Sequence, residues 1–367
     1  MKNKYYSLDK IKKRNAEYNL IIGERSNGKT YAVKMEILKA VKESNETASG
    51  AIIRRWDEDF KGTRATNLFS DIVENGELKK LFGDKYDDIV YYRRGWYLVK
   101  YDESGKAVKA GKPFCYAFSI TSMEHDKSSS FPSVKVILFD EVITRKAYVP
   151  DEFVLFMNCL STIIRDRNDV IIYMLGNTVS QFSPYFQEMG LKHIRQMKQG
   201  DIDLYTYGES GCKVAVEYVG ESKFKKPSNK YFAFDNPRLN MIKSGAYELA
   251  IYPHLTPEMK YKHKDVKYIY FIQYEEFVLQ CEIITHDGMM FTYIHEKTTE
   301  LKERNTDIIF VTDITANPHY RTGILNPRDK IGEKIAYFYR HKLVFYQNNE
   351  LGEIVTNYIK DTDGVIL

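Results

Sequence analysis

Gly23-Glu24-Arg25-Ser26-Asn27-Gly28-Lys29-Thr30 fits the spacing G-x-x-x-x-G-K-[ST]. Residue types at this spacing can hold a chain of phosphates. Gly23 and Gly28 let the backbone curl, so that the N–H groups of Arg25, Ser26 and Asn27 can turn toward phosphate oxygens. Lys29 offers a cation to the β- and γ-phosphates, and Thr30 offers a hydroxyl to Mg²⁺. A second pair, Asp140-Glu141, ends an apolar run, Val134 to Leu138, interrupted by Lys135. Asp140 is expected to hold Mg²⁺, through water, and Glu141 to orient and deprotonate an attacking water. Asn177 follows a further apolar run, where an amide can touch the γ-phosphate or that water. A plain turn role for Asn177 stays equally open. The expected ligands are ATP and Mg²⁺. A GTPase reading is weak, because Asn229-Lys230-Tyr231-Phe232 lacks the acid of a base-reading N-K-x-D.

These residues must be placed by regular elements. Tyr18 to Ile22 reads as a strand before the loop, and Tyr31 to Lys42 as a helix after it, with Val33, Ile37, Ala40 and Val41 near helical spacing. Strand, loop, helix is the order that a phosphate loop requires, with the anion at a helix N-terminus. Further strands are expected at 50–53, 114–119 and 170–175, and a hairpin around Arg93-Arg94-Gly95. Thr66 to Glu74 reads as a helix. A second helix opens at Asp151, a plausible N-cap, with an apolar stripe of Phe153, Phe156, Met157, Leu160 and Ile164. Alternating strands and helices predict an α/β domain with a largely parallel sheet over residues 1–210. The candidate residues then fall at the carboxyl ends of strands, where ligands bind such sheets.

The chain of 367 residues is 43% hydrophobic, which suits two folded domains. No run of eighteen apolar residues occurs, so no membrane span is expected, and the N-terminus lacks a signal-peptide core. Cys115, Cys159, Cys212 and Cys281 are widely spaced and read as reduced thiols, not as a zinc site. Net charge is only +4, but residues 222–267 hold ten Lys or Arg against four acids. Residues 211–264 therefore read as a basic linker module. Residues 265–367 read as a separate α+β domain, with strands at 268–273, 277–284, 289–294 and 308–311 and a helix over Ile331 to Tyr339.

Gly23 to Thr30, Ile53-Arg54-Arg55-Trp56, residues 127–141 (KSSSFPSVKVILFDE), 161–167 (STIIRDR) and 176–186 (GNTVSQFSPYF) resemble the DNA-packaging ATPases of small tailed phages with linear, protein-primed genomes. That family is related to terminase large subunits and to cellular ring translocases. The resemblance implies an additional-strand, catalytic-glutamate ATPase domain and a C-terminal ribonuclease-H-like domain that has lost its nuclease acids. It implies a homo-oligomeric ring of five at the portal of an empty capsid, acting on double-stranded DNA in the host cytoplasm, with a structural RNA as an optional further partner. It carries over Lys29 and Thr30 as phosphate and Mg²⁺ ligands, Asp140 and Glu141 as metal holder and base, Arg165 as a finger reaching a neighbour's nucleotide, and Lys127 as a second basic residue at the subunit boundary. It also favours arginine at Arg25.

Helical spacing gives a separate reason to choose Arg165. Arg167 continues the stripe of Leu160 and Ile164, whereas Arg165 projects about 100° away from Ile164. Two other readings stand beside a packaging motor: a cellular-type DNA translocase or helicase, and a non-catalytic structural connector. In the C-terminal domain, the strand Tyr268 to Gln273 carries no acid. Lys267, Arg321, Arg328 and Lys330 are candidate DNA contacts there.

Overall fold

The computed structural model describes residues 6–25, 27–122, 130–144, 148–178, 180–220, 251–298, 307–313 and 317–364. The chain divides into two compact units, 1–247 and 248–367. Lys127, Ser26 and most of the basic stretch 222–267 lie outside the described residues.

The first unit is built on a ten-stranded sheet: β1 (Tyr18–Gly23), β2 (Ser49–Arg54), β3 (Asp88–Tyr92), β4 (Gly95–Tyr101), β5 (Ala107–Lys109), β6 (Cys115–Ser119), β7 (Val134–Asp140), β8 (Ile171–Asn177), β9 (Ile202–Tyr207) and β10 (Cys212–Tyr218). The central strands run parallel in the order β6-β2-β7-β8-β1-β10. β9 closes one side antiparallel to β10, and the β3–β4–β5 group joins the other side through β4 on β6. β8 thus stands between β1, which leads into the phosphate loop, and β7, which ends in Asp140.

Both faces of this sheet are covered, which explains the unbroken apolar runs. Leu20, Ile21 and Ile22 are all 0% exposed. Leu20 and Ile22 face a cluster with Phe139, Phe156 and Tyr185. Ile21, turned the other way by the strand period, packs with Val33, Ile37 and Val41 of the helix Lys29–Glu43. Each such buried aliphatic side chain contributes about 2 kcal/mol.

Several expected elements differ. β9 and β10 form a hairpin that carries the sheet past residue 210, to Tyr218. Thr66 to Glu74 is not one helix but short turns at Thr63–Thr66, Asn67–Phe69 and Ser70–Glu74. Phe69 and Ile72 still reach the core, because one helical turn at a time is enough to aim them. The later helix is Glu152–Ile164, and its buried stripe is Phe156, Cys159, Leu160 and Ile163. Met157, expected inside, is 38% exposed. Asp151 sits at the N-cap with φ 54° and no side-chain capping bond. The carboxylate of Glu152 instead accepts from the Val149 N–H at 2.9 Å.

The second unit holds a six-stranded sheet: β11 (Val266–Tyr274), β12 (Phe277–His286), β13 (Met289–Glu296), β14 (Ile309–Phe310), β15 (Tyr320–Arg321) and β16 (Val344–Tyr346), in the order β15-β14-β11-β12-β13-β16. β11 to β13 form an antiparallel meander, while β14 and β15 continue parallel to β11. The run expected at 308–311 is a strand only at Ile309–Phe310. The helices Lys330–Arg340 and Asn349–Asp363 complete the unit; the first is close to the expected Ile331 to Tyr339. Asp329 caps the first helix by accepting from the N–H groups of Ile331 and Gly332 at 2.9 Å.

Candidate active site

The loop after β1 and the tips of β2, β7 and β8 line one cleft of about 910 Å³ in the first unit. Its walls include Arg25, Asn27, Gly28, Lys29, Thr30, Arg54, Asp140, Glu141 and Asn177. The parallel register makes this convergence inevitable: Gly23 is paired with Asn177, and Asp140 with Leu175. Gly28 carries φ 94°, a left-handed conformation that only glycine takes without cost, and it turns the loop into the helix Lys29–Glu43. At Gly176 a Cβ would lie 2.6 Å from the Ile143 side chain, so β8 and the segment after β7 approach as closely as a glycine permits.

Lys29 is 5% exposed. Its ammonium donates to the carbonyls of Gly23 at 3.1 Å and Glu24 at 2.7 Å, and lies 3.4 Å from Asn177 Oδ1. Burial pulls its pKa down to about 8, against the opposing pull of Asp140 and Glu24. Thr30 Oγ1 donates to Asp140 Oδ1 at 3.4 Å. Asp140 is itself buried, whereas Glu141 beside it is exposed to the cleft. Glu141 has φ 64°, an uncommon backbone for a non-glycine residue that costs on the order of 1–3 kcal/mol and often marks a functional position. The Asn27 Nδ2 and Arg54 Nε atoms are buried without a hydrogen-bond partner. A desolvated lysine, two orphaned donors and a hydroxyl–carboxylate pair form a donor set suited to a polyanion and its divalent cation.

Two adjacent arginines, one in the cleft and one behind it, escaped the sequence reading. Arg54 Nη2 binds Asp140 Oδ2 at 2.7 Å, so the acid expected to hold a metal already carries a cationic partner. Arg55, next in the chain, turns inward and binds the buried Glu152 at 2.7 Å. Both belong to the quoted Ile53 to Trp56 segment, but strand-end arginines are common and nothing in the spacing says which face each takes.

Arg165 ends the helix Glu152–Ile164 with φ 53° and is exposed, on the wall of a shallow polar pocket with Asn158, Ser161, Thr162 and Asp166. The helix stops before Arg167, so the helical-spacing argument does not reach it. Arg167 instead clamps main chain: its guanidinium donates to the carbonyls of Val134 at 2.6 Å, Ile163 at 3.0 Å, Pro132 at 3.1 Å and Phe131 at 3.2 Å. Its ion pair with Asp169 is the longer contact, at 3.4 Å. In the second unit, Arg321 is tied to Asp329 at 2.7 Å, whereas Lys267, Arg328 and Lys330 are exposed.

The sequence model of the Podovirus DNA encapsidation protein (Gp16) family matches residues 1–198. The DNA packaging protein of Bacillus phage phi29 is 21% identical over 356 residues, covering 92% of this chain and 97% of that protein. The DNA packaging protein of Bacillus phage B103 is 28% identical over 258 residues, covering 59% of this chain and 70% of that one. The solved bacteriophage Phi-29 viral genome packaging motor assembly has a chain of like fold, with TM-score 0.58 at 18% identity over 98% of this chain and 100% of that one. With more than half of its length under the family model, the chain belongs to the Podovirus DNA encapsidation protein (Gp16) family.

Proposed function

We propose that this protein is the ATP-hydrolysing subunit of a ring motor that drives double-stranded DNA into a preformed capsid. The observation that carries the reading is the cleft in which Lys29, Thr30, Asp140, Glu141 and Asn177 meet at the carboxyl ends of β1, β7 and β8. The interposed β8 is the additional strand of a catalytic-glutamate ATPase, and it brings an amide to the phosphate end. Gly23, Arg25, Ser26, Asn27, Gly28, Lys29 and Thr30 hold the triphosphate. Mg²⁺ between Thr30 and Asp140 would neutralise charge on the β- and γ-oxygens. Glu141 takes the proton of the attacking water. Arg165, exposed at a helix end, reaches the nucleotide of a neighbouring subunit, with Lys127 beside that boundary.

The ring, five-fold in this reading, works at the capsid portal in the host cytoplasm, with or without a structural RNA. Residues 1–218, which include the β9–β10 hairpin, supply the core of the ATPase. The basic stretch that follows, to residue 264, grips phosphates without reading sequence, and residues 265–367 guide DNA. The strand order β13-β12-β11-β14-β15, a meander followed by two parallel strands, supports a ribonuclease-H-like layout for the last domain. The deciding experiment compares ATP turnover of wild type and Glu141→Gln with and without DNA and portal-bearing empty capsids. DNA stimulation, with full turnover only when capsids are present, is expected for wild type. Turnover indifferent to both additions would overturn the motor reading.

A further inference from the structure

Arg55 stands one residue beyond β2, buried to 7% exposure. One edge of its guanidinium grips a carboxylate: Nε donates to Glu152 Oε2 at 2.7 Å and Nη2 to Oε1 at 2.8 Å. The other edge holds main chain: Nη1 donates to the Glu141 carbonyl at 3.3 Å and Nη2 to the Val142 carbonyl at 3.5 Å. Glu152 is saturated in turn. Its Oε1 accepts from the Tyr185 hydroxyl at 2.8 Å and its Oε2 from the Val149 N–H at 2.9 Å. The Tyr148 ring covers the guanidinium, with its centroid at 5.2 Å. Four segments therefore meet on one buried ion pair: the exits of β2 and β7 and the starts of the helices Glu152–Ile164 and Pro184–Glu188.

A buried ion pair is a poor stabiliser, because desolvation offsets its Coulomb attraction, and in some proteins such a pair serves to fix geometry instead. Here the geometry at stake is that of Glu141, whose φ of 64° an unsupported residue would relax. The carbonyls that Arg55 holds belong to Glu141 itself and to the next residue. On the far side, Val142 is pinned by its N–H to the Leu175 carbonyl at 2.9 Å. We infer that Arg55, with Glu152 as its buried counter-ion, is a positioning residue that holds the Glu141 peptide in its left-handed conformation and so aims the carboxylate into the nucleotide cleft. This rests on the reading of Glu141 as the general base. The same pair joins that base to the helix that ends at Arg165.

The test is Arg55→Lys in the full chain. Lysine keeps the charge but not the planar fork, so it cannot serve the carboxylate and both carbonyls together. The expected result is kcat lowered on the order of 10²-fold, the size typical of a small misplacement of a reacting group, with ATP affinity within about twofold of wild type. In the Glu141→Gln background, Arg55→Lys should add almost nothing, since residues that act as a unit are not additive. An unchanged kcat, or parallel losses of affinity and kcat, would overturn the inference. If Arg55→Lys fails to fold, Tyr185→Phe decides: it removes one hydrogen bond to Glu152, and kcat equal to wild type would count against the inference. Full activity in Glu141→Gln would sink the underlying assignment of the base. An inactive Glu141→Gln beside a fully active Arg55→Lys would sink this inference alone.

Discussion

The Lys29 ammonium and Asn177 Oδ1 stand 3.4 Å apart because β1 and β8 are register neighbours through Gly23 and Asn177. In the proposed mechanism the amide reads the same phosphate that the lysine holds. Asn177→Ala should lower kcat by roughly tenfold or more, as expected for loss of one oriented polar contact, and change nucleotide affinity much less. Steady-state turnover beside a fluorescent-nucleotide titration separates the two. A wild-type kcat would return Asn177 to the role of a turn residue.

The loop lysine and the base should fail differently. Lys29→Ala removes the fixed cation and should abolish both tight ATP binding and turnover. Glu141→Gln keeps every phosphate contact and should bind ATP while hydrolysing it at a small fraction of the wild-type rate. Filter binding of labelled ATP, with phosphate release measured in parallel, distinguishes these outcomes.

With its pKa depressed, Lys29 is expected to make nucleotide binding a proton-linked event. Burial holds the folded-state pKa of Lys29 at about 8, below the ordinary 10.5. Between those values the unfolded chain binds more protons, so the group's contribution to stability rises with pH across that window; below about 8 the charged, buried lysine is a penalty. A triphosphate beside the ammonium favours the charged form and raises the pKa again. ATP binding at about pH 8.5 should therefore take up a sizeable fraction of a proton, and almost none at about pH 6.5. Calorimetry in two buffers of different ionisation enthalpy measures this uptake. It should vanish in Lys29→Arg, and equal heats in both buffers at the higher pH would refute it.

Arg165 is tested by mixing. Arg165→Ala subunits keep an intact phosphate loop, and Lys29→Ala subunits keep an intact finger. A finger acting in trans restores activity at mixed interfaces, and in other phosphoryl-transfer systems such a residue contributes on the order of 10³–10⁵ in rate. Assembled mixtures with no turnover at any ratio would remove the trans role.

The sheet core and the phosphate loop were legible because a strand buried on both faces must be apolar throughout and a loop around phosphate must be glycine-rich. Leu20 to Ile22, Val136 to Phe139 and Gly28 each carry that signature. The β9–β10 hairpin was not legible: Ile202 to Tyr207 is only half-buried, so its alternation is weak. The stripe of the helix Glu152–Ile164 was displaced toward Met157 because Cys159, a small apolar residue, was not counted as core. Arg54 and Arg55 show the deeper limit. They are adjacent in sequence, yet one faces the cleft and the other a buried carboxylate 97 positions away in the chain. Only the folded sheet distinguishes them.

The last domain is expected not to cut DNA, and the reason lies in β11. A two-metal nuclease needs carboxylates that converge on ions about 4 Å apart. In a ribonuclease-H-like sheet the first strand must bring one of them. The middle of β11 is Tyr270-Phe271-Ile272, all buried, with the Tyr270 hydroxyl bonded to that of Tyr339 at 2.9 Å. Other acids are committed to structure. Asp329 caps a helix and binds Arg321, and Asp363 accepts from the N–H groups of Ile324, Leu325 and Asn326 at 3.0–3.1 Å. Asp307 and Asp313 flank β14 but have no carboxylate on β11 to share a metal with. The full chain incubated with supercoiled DNA and Mn²⁺ should leave it intact. Nicking that disappears in Asp313→Asn would reveal a live nuclease built without a first-strand acid.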